Sequence, residues 1–253
     1  MEKLLFIECN MGAAGDMLAG ALYELLPKEK QEEFLDIMKK NPLNEVRVSP
    51  ISVEKSGVCG THMKVEIHGK EEGEYHHHHD HDHSNLHSVE HSIDHFLVPD
   101  EVKKSAKAVY GLIAEAEAKV HQKPVSQVHF HEVGSLDAIV DVVSVCWMLH
   151  VLNPKEVIVS DINVGYGSVW CAHGKLPVPA PAVALLLKGA PCYQGEFEVE
   201  MCTPTGAALL QYAKTRFGKM PIMCLENIGY GMGSKDFAQV NCVRVFLGSK
   251  IQK

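Results

Sequence analysis

The 253-residue sequence predicts an α/β fold in which a mixed sheet is flanked by helices and carries a histidine-rich insertion. First, the apolar stretch KLLFIEC is typical of a buried strand, and a glycine-containing turn links it to the helical stretch GDMLAGALYELL. Second, strand-like and helical segments alternate along the rest of the chain, as they do in α/β domains. Third, residues 71–98 interrupt this alternation with a concentration of histidines.

The other predicted elements follow in chain order. KEKQEEFLDIMKK predicts a second helix, and EVRVSPISVEKSGVCGTHMKVEIHG predicts two strands joined around Ser56 and Gly57. After the insertion, DEVKKSAKAVYGLIAEAEAKVH has helical spacing, and SLDAIVDVVSVCWMLHVL is apolar enough to predict a central helix. The remainder alternates strands and helices in the stretches EVIVSDINVGYGSV, PAPAVALLLKG, TPTGAALLQYAKTRFG, PIMCLENIGYGMGS and VNCVRVFLG.

Composition and charge restrict the possible classes of function. The chain is 46% hydrophobic and 22% charged, which is typical of a globular domain. It has no apolar run of the roughly 18 residues that a membrane span needs and no signal-peptide pattern, so we expect a cytoplasmic protein without a membrane partner. Residues 71–102 carry nine acidic residues and no Lys or Arg, and this accounts for the net charge of −8. That distribution indicates a cation, not nucleic acid, as the partner.

The insertion has the composition of a metal-binding segment, because nine of the sixteen histidines lie between positions 74 and 95. Imidazole suits nickel, zinc and copper, and Asp80 and Asp82 add negative charge. Beyond position 85, an apolar helical face (Leu86, Val89, Ile93, Phe96 and Leu97) lies opposite three histidines spaced four apart, which can share an ion. A solvated helix face with incidental histidines is the alternative. The predicted metal ligands here are His76, His77, His78, His79, His81, His83, His87, His91 and His95.

A second cluster lies in the stretch QVHFHEVGSLDAIVDVV. It contains His129, His131, Glu132, Asp137 and Asp141, which we predict as catalytic residues. The two aspartates are four positions apart, so their carboxylates project from one helix face. Burial of two like charges would require a metal ion, a cationic group or a cleft beside them. The alternative is a helix face that simply meets solvent.

The stretch CNMGAAGDM places Asp16 at the start of the first helix. This residue either binds a divalent ion at the mouth of the sheet, as a further catalytic residue, or caps the helix. The signature Asn-x-Gly-Tyr-Gly occurs in NVGYGS and again in NIGYGMGS, where the glycines either line an anion pocket or serve backbone geometry. The threonines of MCTPTGAALL either cap a helix or bind phosphate. The predicted cofactor-binding residues are Gly12, Gly15, Gly165, Gly167, Thr203, Thr205, Gly229 and Gly231.

The stretch WCAHGK places Cys171 close to His173, which we add to the predicted metal ligands. A thiolate beside an imidazole could hold a thiophilic metal, although such a pair is as often structural. The eight cysteines form no C-x-x-C pair, so reduced thiols are expected. The sequence contains no Walker A, G-x-G-x-x-G, G-x-S-x-G or H-E-x-x-H motif, which removes support for the common ATPase, dehydrogenase and protease classes.

Taken together, CNMGAAGDM, the histidine-rich insertion, VHFHEVGSLDAIVDVV, HGKLPVPAPA, CTPTGAALL and IGYGMGSKD closely resemble the LarC family, the nickel-insertion proteins of lactate racemase cofactor biosynthesis. The resemblance covers nearly the whole chain. It implies that residues 1–253 are an N-terminal α/β domain, with residues 71–98 as a metal-binding insertion, and that the family's usual CTP-associated C-terminal domain is absent.

The resemblance also implies an activity. A nickel chelatase of the lyase class would insert Ni²⁺ into pyridinium-3,5-bisthiocarboxylic acid mononucleotide, in a CTP-dependent reaction with Mg²⁺ or Mn²⁺, to make the nickel-pincer nucleotide. The implied partners are this substrate, a C-terminal LarC domain or second polypeptide, the lactate racemase system and further copies of the chain. Two other functions stay open: a non-enzymatic nickel store or chaperone, and a divalent-metal phosphohydrolase that uses Asp16, His129 and Asp141.

Overall fold

The computed structural model describes residues 2–43, 46–67, 69–71, 84–130 and 133–251. Two groups of predicted site residues lie outside these described residues: the run of histidines from position 76 to position 83, and the pair His131 and Glu132. What the sequence predicts for them stays a prediction.

The described residues form thirteen β-strands, which differ in length from two to ten residues. In chain order they are β1 (Lys3–Cys9), β2 (Val46–Lys55), β3 (Val58–Ile67), β4 (Lys70–Glu71), β5 (Ser84–Asn85), β6 (His129–Phe130), β7 (Glu156–Asn163), β8 (Ser168–Cys171), β9 (Gly174–Pro177), β10 (Cys192–Tyr193), β11 (Arg216–Phe217), β12 (Met223–Met232) and β13 (Cys242–Lys250).

Nine of these strands form one mixed sheet in the order β10, β7, β1, β13, β12, β3, β2, with β11 also beside β7 and β4 beside β3. Strand β1 runs parallel to β7 and antiparallel to β13. Leu5 and Ile7 of β1 face the main core, while Leu4 and Phe6 pack on the other face of the sheet. The pairs β5–β6 and β8–β9 form two small separate sheets. The predicted mixed sheet is thus confirmed.

Seven α-helices and one short 3₁₀ helix (Val125–Gln127) are formed by the described residues. The α-helices are α1 (Gly15–Glu24), α2 (Lys28–Lys39), α3 (Leu86–Asp94), α4 (Asp100–His121), α5 (Leu136–Leu152), α6 (Pro181–Leu186) and α7 (Pro204–Ala213). Together with the sheet they confirm the α/β class. Helix α5 is central, as predicted, because apolar residues surround it and Trp147 and Met148 are buried. Within the described residues, no helix has both the length and the apolar character of a membrane span.

Helix α1 packs against β12 so closely that the two backbones nearly touch. A Cβ atom on Gly231 would overlap the carbonyl oxygen of Met17, and one on Gly229 would overlap that of Ala21. Neither glycine has a positive φ, so it is the space under the helix that requires glycine here. The structure therefore supports backbone packing as the role of Gly229 and Gly231.

The second half of the predicted insertion belongs to the folded core. Asn85 in β5 pairs with His129 in β6, Val89 and Ile93 are buried on the apolar face of α3, and Phe96 is buried just beyond its end. The helix begins with a capping box in which Asn85 accepts from the Ser88 backbone N–H at 3.0 Å. Leu97, predicted on this apolar face, is instead 62% exposed because α3 ends at Asp94.

We predict that Gly231→Ala lowers the free energy of unfolding by about 3 kcal/mol or more, because the added methyl group meets backbone and not a movable side chain. Gly111→Ala is the matched control. Gly111 lies inside α4 with open space around its Cβ position, so the same change should raise stability by about 0.5–1 kcal/mol. Urea unfolding curves measure both effects. A Gly231→Ala protein as stable as the parent would contradict the close packing of α1 on β12.

Candidate functional site

The candidate site lies at the carboxyl ends of the parallel strands β1 and β7. Cys9 at the end of β1 is in register with Ile162 near the end of β7, so the loops that follow both strands emerge side by side. This edge of a sheet is where α/β folds commonly bind ligands. The loops are residues 10–14 after β1 and residues 164–167 after β7.

The side chain of Asn163 holds these loops together. Its Nδ2 donates to the carbonyl oxygen of Asn10 at 3.0 Å, and its Oδ1 accepts from the backbone N–H groups of Gly165 at 2.9 Å and Gly195 at 3.0 Å. The residue is only 3% exposed, so these bonds form away from solvent. One amide therefore joins three separate loops.

The segment 199–203 lies between the two loops and is bonded to both. The Ala13 N–H donates to the Met201 carbonyl oxygen at 3.0 Å, and the Thr203 N–H donates to the Ala13 carbonyl oxygen at 3.0 Å. On the other side, the Met201 N–H donates to the Val164 carbonyl oxygen at 3.2 Å. The segment 199–203, although distant from β1 in the sequence, is thus hydrogen-bonded to the loop that follows β1.

Three of the predicted cofactor-binding glycines have a backbone reason to be glycine. Gly12 and Gly165 both have φ of +75°, and a Cβ atom there would overlap the backbone of Met201 or Val199. Gly167 has φ of +87° and lies against the Glu198 side chain. These contacts support the backbone interpretation, and the anion-pocket interpretation stays a prediction.

The two predicted threonines lie at the start of α7. The Thr203 hydroxyl accepts from the Gly206 N–H at 3.2 Å and so caps the helix, which is one of the two roles the sequence allowed. Thr205 is buried in the first turn, with 9% of its surface exposed.

The acidic residues Asp16 and Asp141 meet at the N-terminus of α1. Ala14 is the N-cap residue and makes no side-chain cap, while Asp16 lies in the first turn. The Asp141 carboxylate lies against Gly15, where a Cβ atom would come within 2.5 Å of Oδ2. Both negative charges therefore complement the positive end of the helix dipole. His62, which the sequence did not single out, has its Nδ1 3.9 Å from Asp16 Oδ2 and 3.1 Å from the carbonyl oxygen of Met232.

The negative charges of Asp137 and Asp141 also affect the pKa of Tyr110. The hydroxyl of this buried tyrosine donates to the Val133 carbonyl oxygen at 3.0 Å. Burial raises the pKa of Tyr110 well above its ordinary value, and the charges of Asp137 and Asp141 raise it further. The two carboxylates thus belong to the start of α5 beside α1 and α4.

A separate pocket of about 190 Å³ is lined by residues from several distant parts of the chain. The C-terminal end of α4, strand β6, the β8–β9 hairpin and the starts of α6 and α7 all contribute to its wall. Its metal-ligating residue types are Glu117, His121, His129, Cys171, His173 and Glu200. Its apolar wall includes Val120, Val133 and Leu176. Asp137 and Asp141 are not among the described residues that line it.

Two predicted residues, His129 and His173, therefore lie on one pocket, and the sequence interpretation missed their neighbours. His121 and Glu117 are four positions apart on α4, with His121 Nε2 3.4 Å from Glu117 Oε2. That spacing was a readable signal in EAEAKVH, since such residues are neighbours on a helix surface. Glu200 had no comparable signal, because it enters the pocket from the irregular segment before α7.

The cysteines divide into buried thiols and accessible ones, and all eight are free. Burial raises the pKa of Cys9 and of Cys202 well above that of an ordinary thiol, and raises the pKa of Cys146 to about 12. These three thiols are buried, whereas reactive or ligating thiols are usually accessible. Cys171 is half-buried on the pocket wall, where its Sγ donates to the Gly174 carbonyl oxygen at 3.3 Å.

The three predicted histidines of α3 lie on its exposed face, opposite the buried one. The ring centroids of His91 and His95 are 4.5 Å apart, and His95 Nδ1 lies 2.8 Å from the His91 carbonyl oxygen. When Nδ1 donates that bond, the lone pair is on Nε2 and faces away from the backbone. In the part of the chain that the structure describes, however, no three His, Cys, Asp or Glu side chains are grouped so that they could hold a metal ion.

Comparison with known proteins gives consistent matches. The family model described as nickel insertion protein matches residues 5–253. Proteins named pyridinium-3,5-bisthiocarboxylic acid mononucleotide nickel insertion protein match at 38% identity over 250 residues in Geobacillus kaustophilus and at 40% over 251 residues in Clostridium kluyveri. Each match covers 98% of this chain, and 60% and 62% of the respective relative. The chain thus spans about three fifths of the length of these relatives. No solved structure matches.

We predict that Asn163→Ala lowers the free energy of unfolding by about 2–3 kcal/mol, because it leaves buried N–H and C=O groups without their partner. Asn227 is the matched control, since it occupies the same place in the second Asn-x-Gly-Tyr-Gly signature but is exposed and accepts only from its neighbour Ile228. Asn227→Ala should change stability by less than about 0.5 kcal/mol. Thermal and urea unfolding measure both. Equal losses in the two variants would show that Asn163 does not hold the loops.

We predict that Asp141→Asn lowers stability by about 1 kcal/mol, because the amide keeps the shape of the side chain but removes a charge that complements the α1 dipole. Asp161→Asn, at an exposed position, should leave stability unchanged. Melting temperatures of both variants and of the parent protein measure the effect. An Asp141→Asn protein as stable as the parent would contradict the structural role of Asp141.

Proposed function

The chain belongs to the nickel insertion protein family, and on this premise we propose that it takes part in inserting Ni²⁺ into pyridinium-3,5-bisthiocarboxylic acid mononucleotide. The relatives that carry this substrate in their names are longer than the chain. We therefore propose that this chain carries out part of the reaction, in which nickel is the ion transferred and the nucleotide is the acceptor.

One observation carries the proposal: a chain of this family has a pocket lined by three imidazoles, a thiol and two carboxylates. Imidazole is a ligand that nickel accepts readily, and carboxylates favour a cation. No Lys or Arg is among the described residues of the lining. The apolar wall of Val120, Val133 and Leu176 could contact the flat face of a pyridinium ring.

The softness of the ligands supports a direction for the transfer. The thiocarboxylate sulfurs of the substrate are softer donors than imidazole nitrogen or carboxylate oxygen, so the substrate would offer the ion a different set of ligands. An ion held by pocket side chains would thus pass to the substrate by ligand exchange. The product would be the nickel-pincer nucleotide, which we propose as the cofactor of lactate racemase.

The same proposal includes CTP with Mg²⁺ or Mn²⁺, which the resemblance to LarC proteins implies. These hard ions prefer several oxygen ligands, and the described carboxylates form no group of three that could hold one. The residues present therefore do not fit this ion. We assign CTP and its metal to a C-terminal LarC domain, on the same or a second polypeptide, and we propose a cytoplasmic homo-oligomer as the working form.

Two other functions make different demands on the same residues. A nickel store would act through the histidines at positions 76–83 together with those of α3. A divalent-metal phosphohydrolase would use Asp16, His129 and Asp141, of which His129 lines the pocket while the two aspartates lie at the start of α1. Release of phosphate without the thiocarboxylate substrate would favour the phosphohydrolase.

We predict that the chain forms nickel-containing nucleotide when it is mixed with Ni²⁺, the substrate, CTP and Mg²⁺ together with the C-terminal two fifths of the Geobacillus relative, and forms little without that part. Mass spectrometry detects the product, and activation of lactate racemase apoprotein confirms it. Absence of product in both mixtures would contradict the proposed function.

The control separates insertion from storage. Because residues 84–95 contribute to the core, a deletion that includes them would unfold the protein, so the six histidines between positions 76 and 83 are replaced by Asn instead. In excess nickel the variant should still form product if the chain inserts nickel. A protein that only stores nickel would lose the nickel capacity of these six imidazoles and would form no product.

A further inference from the structure

We propose that His121 and His173 form a two-imidazole nickel site with Glu117 beside it, and that nickel occupies this site before it passes to the substrate. The identity of the ion rests on the proposed function. The site differs from the histidines of the insertion and of α3, and it includes His121, which the sequence analysis did not single out.

The geometry of the two rings suits a shared ion. The centroids of the His121 and His173 rings are 4.8 Å apart, and the ring planes are tilted by 37°. Two nitrogens that bind one ion from adjacent positions lie about 3 Å apart, since each is about 2.0–2.1 Å from the metal. Ring rotations alone can bring the nitrogens of such close rings to that separation.

Glu117 adds an oxygen at the same place. Its Oε2 lies 3.4 Å from His121 Nε2, close to the separation of two ligands of one metal ion. Its side chain is only 18% exposed, and a second carboxylate, Glu200, lies on the wall of the same pocket. Both charges would favour a cation in the pocket over a neutral or anionic occupant.

The two histidines come from elements that are held firmly. His121 is the last residue of α4, which ends where Gln122 adopts a left-handed conformation and the Lys123 N–H donates to the Ala118 carbonyl oxygen at 3.0 Å. His173 lies in the turn of the β8–β9 hairpin, between the paired residues Cys171 and Gly174. Both backbones are thus held by regular hydrogen bonding, which lowers the part of the ordering cost that the backbone would contribute on binding.

The incompleteness of the site is what fits it for transfer. Among the described residues, no three ligating side chains are already grouped around one point. An ion held by two imidazoles and one carboxylate would keep positions open for incoming sulfur donors, whereas a closed cage of four protein ligands would retain it. The accessible thiol of Cys171 lies on the same wall and could bind the ion in passing.

A hairpin tryptophan reports on the site. Trp170 is 76% exposed in β8 and precedes His173 by three residues, so their α-carbons are at most about 11 Å apart. Trp147, the other tryptophan, is 1% exposed in the core and should emit at shorter wavelength. Open-shell Ni²⁺ quenches nearby indole fluorescence, so quenching at the red edge of the emission measures occupancy near the hairpin.

The experiment titrates Ni²⁺ into the full chain in which the six histidines between positions 76 and 83 are Asn, with His121→Ala, His173→Ala and the double variant built on it. The control is the pair His91→Ala and His95→Ala, which removes two neighbouring imidazoles from α3 instead. Each pocket substitution should raise the nickel concentration needed for half-maximal quenching of the Trp170 emission at least 10-fold. The double variant should show no such quenching. The α3 pair should leave it unchanged.

Thermal unfolding of each apoprotein separates binding from folding, and His121→Gln provides a polar substitution should the alanine variant unfold. Unchanged quenching in the folded double variant would overturn the site. So would equal loss in the α3 pair, because the signal would then report nickel elsewhere. If the site binds nickel but no nickel-containing nucleotide forms with the C-terminal part supplied, the proposed function fails while the site stands. If product forms at the parental rate in the double variant, the transfer role fails while the function stands.

Discussion

The hydrogen bonds of the Asn163 side chain are the constraint on which the arrangement of the site depends. A buried amide can donate and accept at the same time, and here it satisfies the carbonyl group of Asn10 and the N–H groups of Gly165 and Gly195. The loops it joins hold the segment 199–203 between them. Because Glu200 lies in that segment, the wall of the histidine pocket is positioned through the same network.

The repeated signature Asn-x-Gly-Tyr-Gly shows how one sequence pattern can serve two purposes. In the first copy, Gly165 and Gly167 have positive φ and Asn163 is buried at the centre of the loops. In the second copy, the glycines at positions 229 and 231 stay in an extended strand and make room for helix α1, while the asparagine is exposed. Glycine is required in both copies, but for backbone conformation in one and for lack of a side chain in the other.

Nickel handling places opposite demands on a protein, since the ion must be captured from solution and then released to an acceptor. The three histidines on the outer face of α3 are exposed and are not among the described residues that line the pocket, whose walls would fix the geometry of a bound ion. A pocket that supplies few ligands at defined places binds less of the ion but orients it. In the proposed function, the soft sulfur donors of the acceptor would take up the coordination positions that such a pocket leaves open.

The sequence by itself determined the α/β class, the central position of α5 and the buried face of α3, because apolar periodicity is a local property. Residue chemistry, which is also local, made His129 and His173 candidate site residues. Tertiary structure alone decided that Glu117, His121, His129, Cys171, His173 and Glu200 line one pocket, while Asp141 lies against the start of α1 and both Asp137 and Asp141 lie near Tyr110. It also decided that Val89, Ile93 and Phe96 pack into the main core. The reason is that periodicity reports which face of an element is buried but not which distant element covers it, and that choice depends on how all the elements pack together.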